Sequence, residues 1–208
     1  MHEPSHLALC GPIAPSTMKL TYFNTPGRAE LVRLTLFLHD IPFEDERLSY
    51  EEFLVRKPTL PFQQLPTLTV DGEVFAQSRG MARYVGHLTG LYPTTDPLGA
   101  YCTASTSSSP PDVTKKDALG KELVDVMLPA LFAGVEARLV AANKGGPYLL
   151  GDMLSLADVE LLIMRICLRS GFMVGIPTTM CDPYVRWNEI ADAVAALPKI
   201  QAWYATHP

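Results

Sequence analysis

The chain has 208 residues, enough for one large domain or two small ones, and folding a chain of this size buries roughly 70% of the unfolded surface. Hydrophobic residues make up 48% and charged residues 19%, a globular composition, and the formal net charge of −5 argues against a nucleic-acid phosphate backbone as partner. No apolar run approaches the ~20 residues that a membrane-crossing helix needs, so no membrane partner is expected.

Residues 1–17 have no basic start, and Gly11, Pro12 and Pro15 interrupt their apolar part. They make a poor signal peptide and read as a disordered extension, with Met18 as the start of the fold. Cys10, Cys102, Cys167 and Cys181 are widely spaced without a C-x-x-C pair. Neither a dithiol centre nor a metal site is therefore expected, and a reducing, cytoplasmic compartment fits best. Cys167 sits in an apolar helical stretch and reads as a small buried hydrophobe.

From residue 18 to about 90 strands and helices alternate. A short strand at 19–23 is followed by Thr25-Pro26, which looks like a helix N-cap with proline at the first helical position. The run 27–39 then places Ala29, Val32 and Leu36 at helical spacing. A second strand is expected at 42–48. Ser49-Tyr50-Glu51-Glu52 opens a short helix that Pro58 stops. The stretch PFQQLPTLTVDGEVFAQS follows, with a Leu65-Pro66 bond that can adopt cis at modest cost. Asp71-Gly72 between alternating apolar residues is a strong hairpin signal, joining strands at Thr67–Val70 and Glu73–Ala76. Ser78 is placed to cap a helix over 78–88, whose free N–H groups and positive dipole end attract an anion. The order βαβαββα implies a mixed sheet covered by helices. The edge at Leu65-Pro66 and the helix start at Gln77-Ser78 together suit an extended, peptide-like, carboxylate-bearing ligand.

Residues 91–114 differ in kind. Pro93, Pro97, Pro110, Pro111 and a Ser/Thr-rich run give them linker composition. From 115 to 208 the pattern is all helical. It has a periodic run over 116–143 with Pro129 as an expected kink, and Ser155 and Asp158 as a capping box. Short helices near 184–196 and 198–204 complete it.

Tyr22 ends the first strand, at the edge where open α/β sheets bind ligands. A half-buried strand tyrosine is the plain reading. In the sharper one, its hydroxyl donates a hydrogen bond to an anion held at the Leu65-Pro66 edge. A free thiol has a pKa near 8.5 and is only slightly ionised at neutral pH, so a donor that favours the anion makes a nucleophile of it.

On these residues the chain resembles the cytosolic glutathione transferases, most closely their sigma-like, tyrosine-type members. KLTYFNTPGRAE, PFQQLPTLTVDG and QSRGMARYVG match the first-domain signature, and GPYLLGDMLSLADV matches the helix signature of the second domain. The resemblance implies a thioredoxin-like N-terminal domain followed by an all-α domain. Glutathione would be co-substrate, without metal or other cofactor, and the protein would be a homodimer. It implies that Tyr22 stabilises the glutathione thiolate and that Leu65, before Pro66, pairs with the cysteinyl backbone. Gln77 and Ser78 would hold the γ-glutamyl group. Lys57 would meet the glycyl carboxylate with Gln64 nearby, and Arg28 would pack near the tyrosine and tune it.

Phe53 stands where such members carry tryptophan, and YCTASTSSSPPDV stands where the first long helix of the second domain runs. The function expected is conjugation of the glutathione thiolate to apolar electrophiles, with Met127, Phe132 and Phe172 lining the electrophile pocket. Isomerisation of a prostaglandin-like endoperoxide is a narrower form. The alternative is a non-catalytic glutathione-binding module that keeps the fold. A thioredoxin-like oxidoreductase would need a cysteine where Asn24 and Thr25 stand.

Overall fold

The structure, a computed structural model, describes Pro15 and residues 17–92 and 122–207. The expected extension before Pro15, Cys10, Cys102, most of the linker at 91–114 and the YCTASTSSSPPDV segment lie outside the described residues.

Four strands, β1 (Met18–Phe23), β2 (Glu44–Leu48), β3 (Thr67–Val70) and β4 (Glu73–Ala76), form one sheet in the order β2-β1-β3-β4. β1 runs parallel to β2 and antiparallel to β3, and β3 pairs antiparallel with β4. The hairpin turn places both Asp71 (φ 49°) and Gly72 (φ 91°) in the left-handed region, as the tight turn read from the sequence requires. A parallel β1–β2 pair needs a crossover, supplied by a 3₁₀ turn (Gly27–Ala29) and α1 (Glu30–Leu38). Val32, Leu34 and Leu36 of α1 are fully buried, as are Leu20 and Leu68 on the sheet.

α2 (Tyr50–Arg56) begins with the reciprocal cap that its sequence announces. The Glu52 amide donates to Ser49 Oγ at 3.2 Å, and the Ser49 amide donates to Glu52 Oε2 at 2.7 Å. Two 3₁₀ turns (Lys57–Thr59 and Pro61–Gln63) lead to the cis Leu65-Pro66 bond. α3 (Ser78–Thr89) closes the unit and ends on Gly90 at φ 74°, the left-handed cap that glycine adopts without a Cβ penalty.

The second unit is helical. A π-helical turn (Leu123–Met127) runs into α4 (Leu128–Ala141), followed by α5 (Leu156–Arg169), α6 (Val185–Ala195) and α7 (Pro198–Thr206). Pro129 follows the π turn within a continuous helical run that starts at residue 122, so its missing N–H falls inside the helix, and the irregularity sits in the π turn before it. Asp158 is fully buried and draws 2.7 Å hydrogen bonds from the Leu149 and Ser155 amides and one of 2.6 Å from Ser155 Oγ. Burial pushes its carboxyl up from the ordinary range against these donors, which favour the charged form. The two units meet along α1, which packs on α5 and α7. Buried Trp187, Ile190, Leu161 and Ile200 continue the same core.

Several expectations change. Thr25 does not cap the first helix, which has no side-chain cap and starts from Pro26. The Thr25 carbonyl instead receives a buried arginine. Ser78 is the first residue of α3, and Gln77, at φ 76°, occupies the capping position without a side-chain cap. Cys167 is half-buried rather than buried, and burial pushes its thiol up. Phe132 is 3% exposed, edge-on to Trp187 and Tyr184 at 5.1 and 5.9 Å between ring centres. It belongs to the helical core rather than to a pocket wall, whereas Met127 and Phe172 are exposed.

Candidate functional site

Sheet register alone brings much of the candidate site to one edge. Thr21 of β1 pairs with Thr67 of β3, and Thr67 pairs with Ala76 of β4. One step beyond that row lie Tyr22, cis-Pro66 and Gln77. The carboxyl end of β1, the amino end of β3 and the start of α3 are thus neighbours, although they are far apart in the chain. Leu65 is buried, and its backbone N–H and C=O take no partner among the described residues. Gln77 is exposed and Ser78 half-exposed at the N-terminus of α3, where N–H groups and the helix dipole favour an anion.

Tyr22 is half-buried, and its Oη accepts a hydrogen bond from the Arg28 backbone N–H at 3.3 Å. A hydroxyl has one donor and two lone pairs. Accepting from Arg28 leaves its O–H available to donate. Gly27 makes this approach possible: at φ 46°, a Cβ on it would lie 2.8 Å from Tyr22 Oη. The ring is held edge-on to Phe23, 5.3 Å between centres, with the Arg33 guanidinium 5.8 Å from its centroid.

Phe53 reaches the same neighbourhood through Phe23, at 5.2 Å edge-on, and the Lys57 ammonium lies 5.8 Å from the Phe53 ring centre. Phe53 thus presents an aromatic ring beside Lys57 without an indole N–H. Gln64 is exposed, its amide donating to the Pro61 carbonyl at 3.4 Å. Arg28 reaches the tyrosine through its backbone amide, and its side chain is exposed.

Two residues here were not singled out from the sequence. Gly27 had a signal, a Pro-Gly pair between strand and helix. Arg33 had only a weak one, a charge among the apolar positions of α1, yet it is completely buried. Among the described residues no group of His, Cys, Asp or Glu could hold a metal ion, and no helix is long and apolar enough to cross a membrane.

A mixed four-stranded sheet carrying a cis-proline edge, joined along α1 to a helical domain, defines the class of two-domain proteins built on a thioredoxin-like unit. Residues 18–87 match the glutathione S-transferase N-terminal domain family, and residues 103–207 match the glutathione S-transferase C-terminal domain family. Glutathione S-transferase 4 of Caenorhabditis elegans is 30% identical over 204 residues, 90% of this chain and 95% of that protein. The prostaglandin synthase D structure of Nilaparvata lugens superposes with a TM-score of 0.77 at 28% identity, covering 92% of this chain and 98% of that one. A monomeric glutathione S-transferase from the hookworm Necator americanus gives 0.74 at 28%, with coverages of 92% and 98%. The chain belongs to the glutathione S-transferase family and is a glutathione transferase.

Proposed function

We propose that glutathione lies along the edge formed by Tyr22, Leu65-Pro66 and Gln77-Ser78, and that its thiolate attacks an apolar electrophile. The observation that carries this reading is the Tyr22 hydroxyl, which accepts from the Arg28 amide and so keeps its proton to donate to sulfur. The Leu65 backbone groups pair with the cysteinyl residue, and Ser78 with the first turn of α3 takes the γ-glutamyl carboxylate. Lys57, steadied over Phe53, meets the glycyl carboxylate, Gln64 adds a polar contact, and Arg28 lies beside the thiolate.

In the reaction the thiol proton leaves to water and the sulfur forms a new bond to carbon. The leaving group departs with the pair of electrons of the bond that breaks. The rate comes from positioning and from stabilisation of the thiolate, which no resident cofactor has to supply. The exposed Met127 and Phe172 are the apolar side chains assigned to the electrophile. We place the protein in the cytosol as a homodimer, with exposed Val55, Phe62 and Phe75 offering apolar surface to a second copy.

Tyr22→Phe tests the central claim. Removing the donor costs a hydrogen bond to an anion, about 1.5–3 kcal/mol, or a factor of roughly 10 to 100 in conjugation rate. Retention on a glutathione resin is expected to persist. A variant that conjugates an activated aryl halide at the wild-type rate overturns the assignment. Solution mass tests the dimer.

A further inference from the structure

We propose that Arg33 is a positioning residue for Tyr22, and that the helical domain sets its place through Glu30. The proposal rests on the reading that the Tyr22 hydroxyl holds the glutathione thiolate.

Arg33 is 0% exposed, and a buried guanidinium is tolerated only when its donors are matched. Its Nη1 donates to the carbonyls of Thr25 at 2.8 Å and Pro26 at 3.5 Å, and its Nη2 to that of Phe23 at 3.2 Å. The Phe23 carbonyl closes β1 and those of Thr25 and Pro26 lie in the loop that leads to α1, which is tightened further by the Thr25 amide donating to Phe23 O at 2.8 Å. Nε is anchored on Asp45 Oδ1 of β2 at 2.9 Å. The guanidinium therefore ties the chain at Phe23, Thr25 and Pro26, between Tyr22 and Gly27, to Asp45 of β2. That stretch decides where the Arg28 N–H points, and it points at Tyr22 Oη. A planar fork with fixed donors suits this task and a lysine does not.

The other side of Arg33 faces the helical domain. Glu30 is 3% exposed, and its Oε2 accepts from Arg33 Nη1 at 3.5 Å while its Oε1 accepts from Trp203 Nε1 of α7 at 2.9 Å. Trp203 is fixed between Phe37, 4.9 Å between ring centres, and His207, stacked at 4.0 Å. A continuous set of buried polar contacts thus runs from α7 through Glu30 and Arg33 to the loop that orients the reactive hydroxyl. An ion pair serving stability alone has no need to grip three backbone carbonyls between Tyr22 and Gly27.

The test uses the full chain with glutathione and an activated aryl halide. It measures kcat, KM for glutathione, melting temperature and the pKa of bound thiol from the ultraviolet absorbance of the thiolate. Tyr22→Phe should raise the bound-thiol pKa; if it does not, the parent reading fails whatever Arg33 does. With that shift in hand, Arg33→Met should raise the thiol pKa in the same direction. It should lower kcat about tenfold and leave KM for glutathione within about twofold. In a Tyr22→Phe background, Arg33→Met should add nothing to either effect, because it acts through the hydroxyl. Arg33→Lys should fall between the two, and Trp203→Phe should give a smaller shift of the same sign. The proposal is overturned if Arg33→Met lowers melting temperature alone, with thiol pKa and kcat at wild-type values. It is also overturned if its effect on kcat persists undiminished without the tyrosine hydroxyl. Should Arg33→Met not fold, Arg33→Lys and Trp203→Phe decide on the same readouts, and unchanged thiol pKa in both refutes it.

Discussion

Gly27→Ala applies the smallest possible change to the space beside the reactive hydroxyl. The new Cβ would meet Tyr22 Oη at 2.8 Å, Cε1 at 3.0 Å and Cζ at 3.3 Å. The phenol must retreat by roughly half an ångström to restore ordinary contact. It has little freedom to do so, because Phe23 packs on one side of the ring and the Arg33 guanidinium lies near it. The retreat also breaks the 3.3 Å hydrogen bond from the Arg28 amide. A misplacement of about 1 Å in a reacting group costs on the order of 100-fold, so half that distance predicts a loss of about tenfold in kcat. KM for glutathione should change little, since Leu65, Gln77 and Ser78 are untouched. Alanine at φ 46° carries an independent strain of about 1–2 kcal/mol, which in a chain of this size lowers the melting temperature by roughly 2–8 °C. Initial rates against glutathione, together with thermal unfolding, separate the two effects. A variant that melts lower yet keeps kcat within about twofold of wild type refutes the idea that Gly27 sets the hydroxyl.

Other outcomes follow from the same geometry. Asp158→Asn replaces one acceptor oxygen with an NH₂ group facing amide donors, and should cost about 3 kcal/mol in denaturant unfolding; a change below about 1 kcal/mol contradicts the buried cap. Phe132→Ala should cost about 3–5 kcal/mol while leaving KM for an aryl halide within about twofold, and a higher KM without loss of stability would return Phe132 to the pocket. Burial pushes the Glu46 carboxyl up, but Thr21, Arg56 and Lys19 outweigh it and hold it below the ordinary range. A lowered folded pKa contributes stability that is present above about pH 4.3 and is lost as pH falls through the folded value. Glu46→Gln should therefore flatten stability in that acid window, and an unchanged acid slope in denaturant titrations rules this out.

Local chemistry made the hairpin and the start of α2 legible, because Asp71 and Gly72 take the left-handed backbone that a tight turn requires and Ser49 with Glu52 close their cap within three residues. Ser155 and Asp158 were legible for the same reason, although the third donor, the Leu149 amide, comes from the preceding loop and leaves no mark in the local pattern. Thr25 looked like a cap because Thr-Pro is a common helix entry. The tertiary structure gives its carbonyl to Arg33, and the turn starts without a side-chain cap. Phe132 was assigned to a pocket from its apolar character alone, and periodicity cannot tell a core face from a cavity wall.

By itself, then, the sequence determined the order of the described elements, the Asp71-Gly72 turn, the Ser49-Glu52 and Ser155-Asp158 caps, and the motif residues that ally the chain with its family. It also singled out Tyr22 at the end of the first strand. Only the tertiary structure decided what surrounds that tyrosine. The register of β1, β3 and β4 sets Tyr22, Pro66 and Gln77 on one edge, and Arg33 and Gly27 shape the loop beside the hydroxyl. Trp203 reaches Glu30 across 173 residues of chain. Turns and caps are settled within a few residues, whereas a buried charge finds its partners only after distant segments have packed around it.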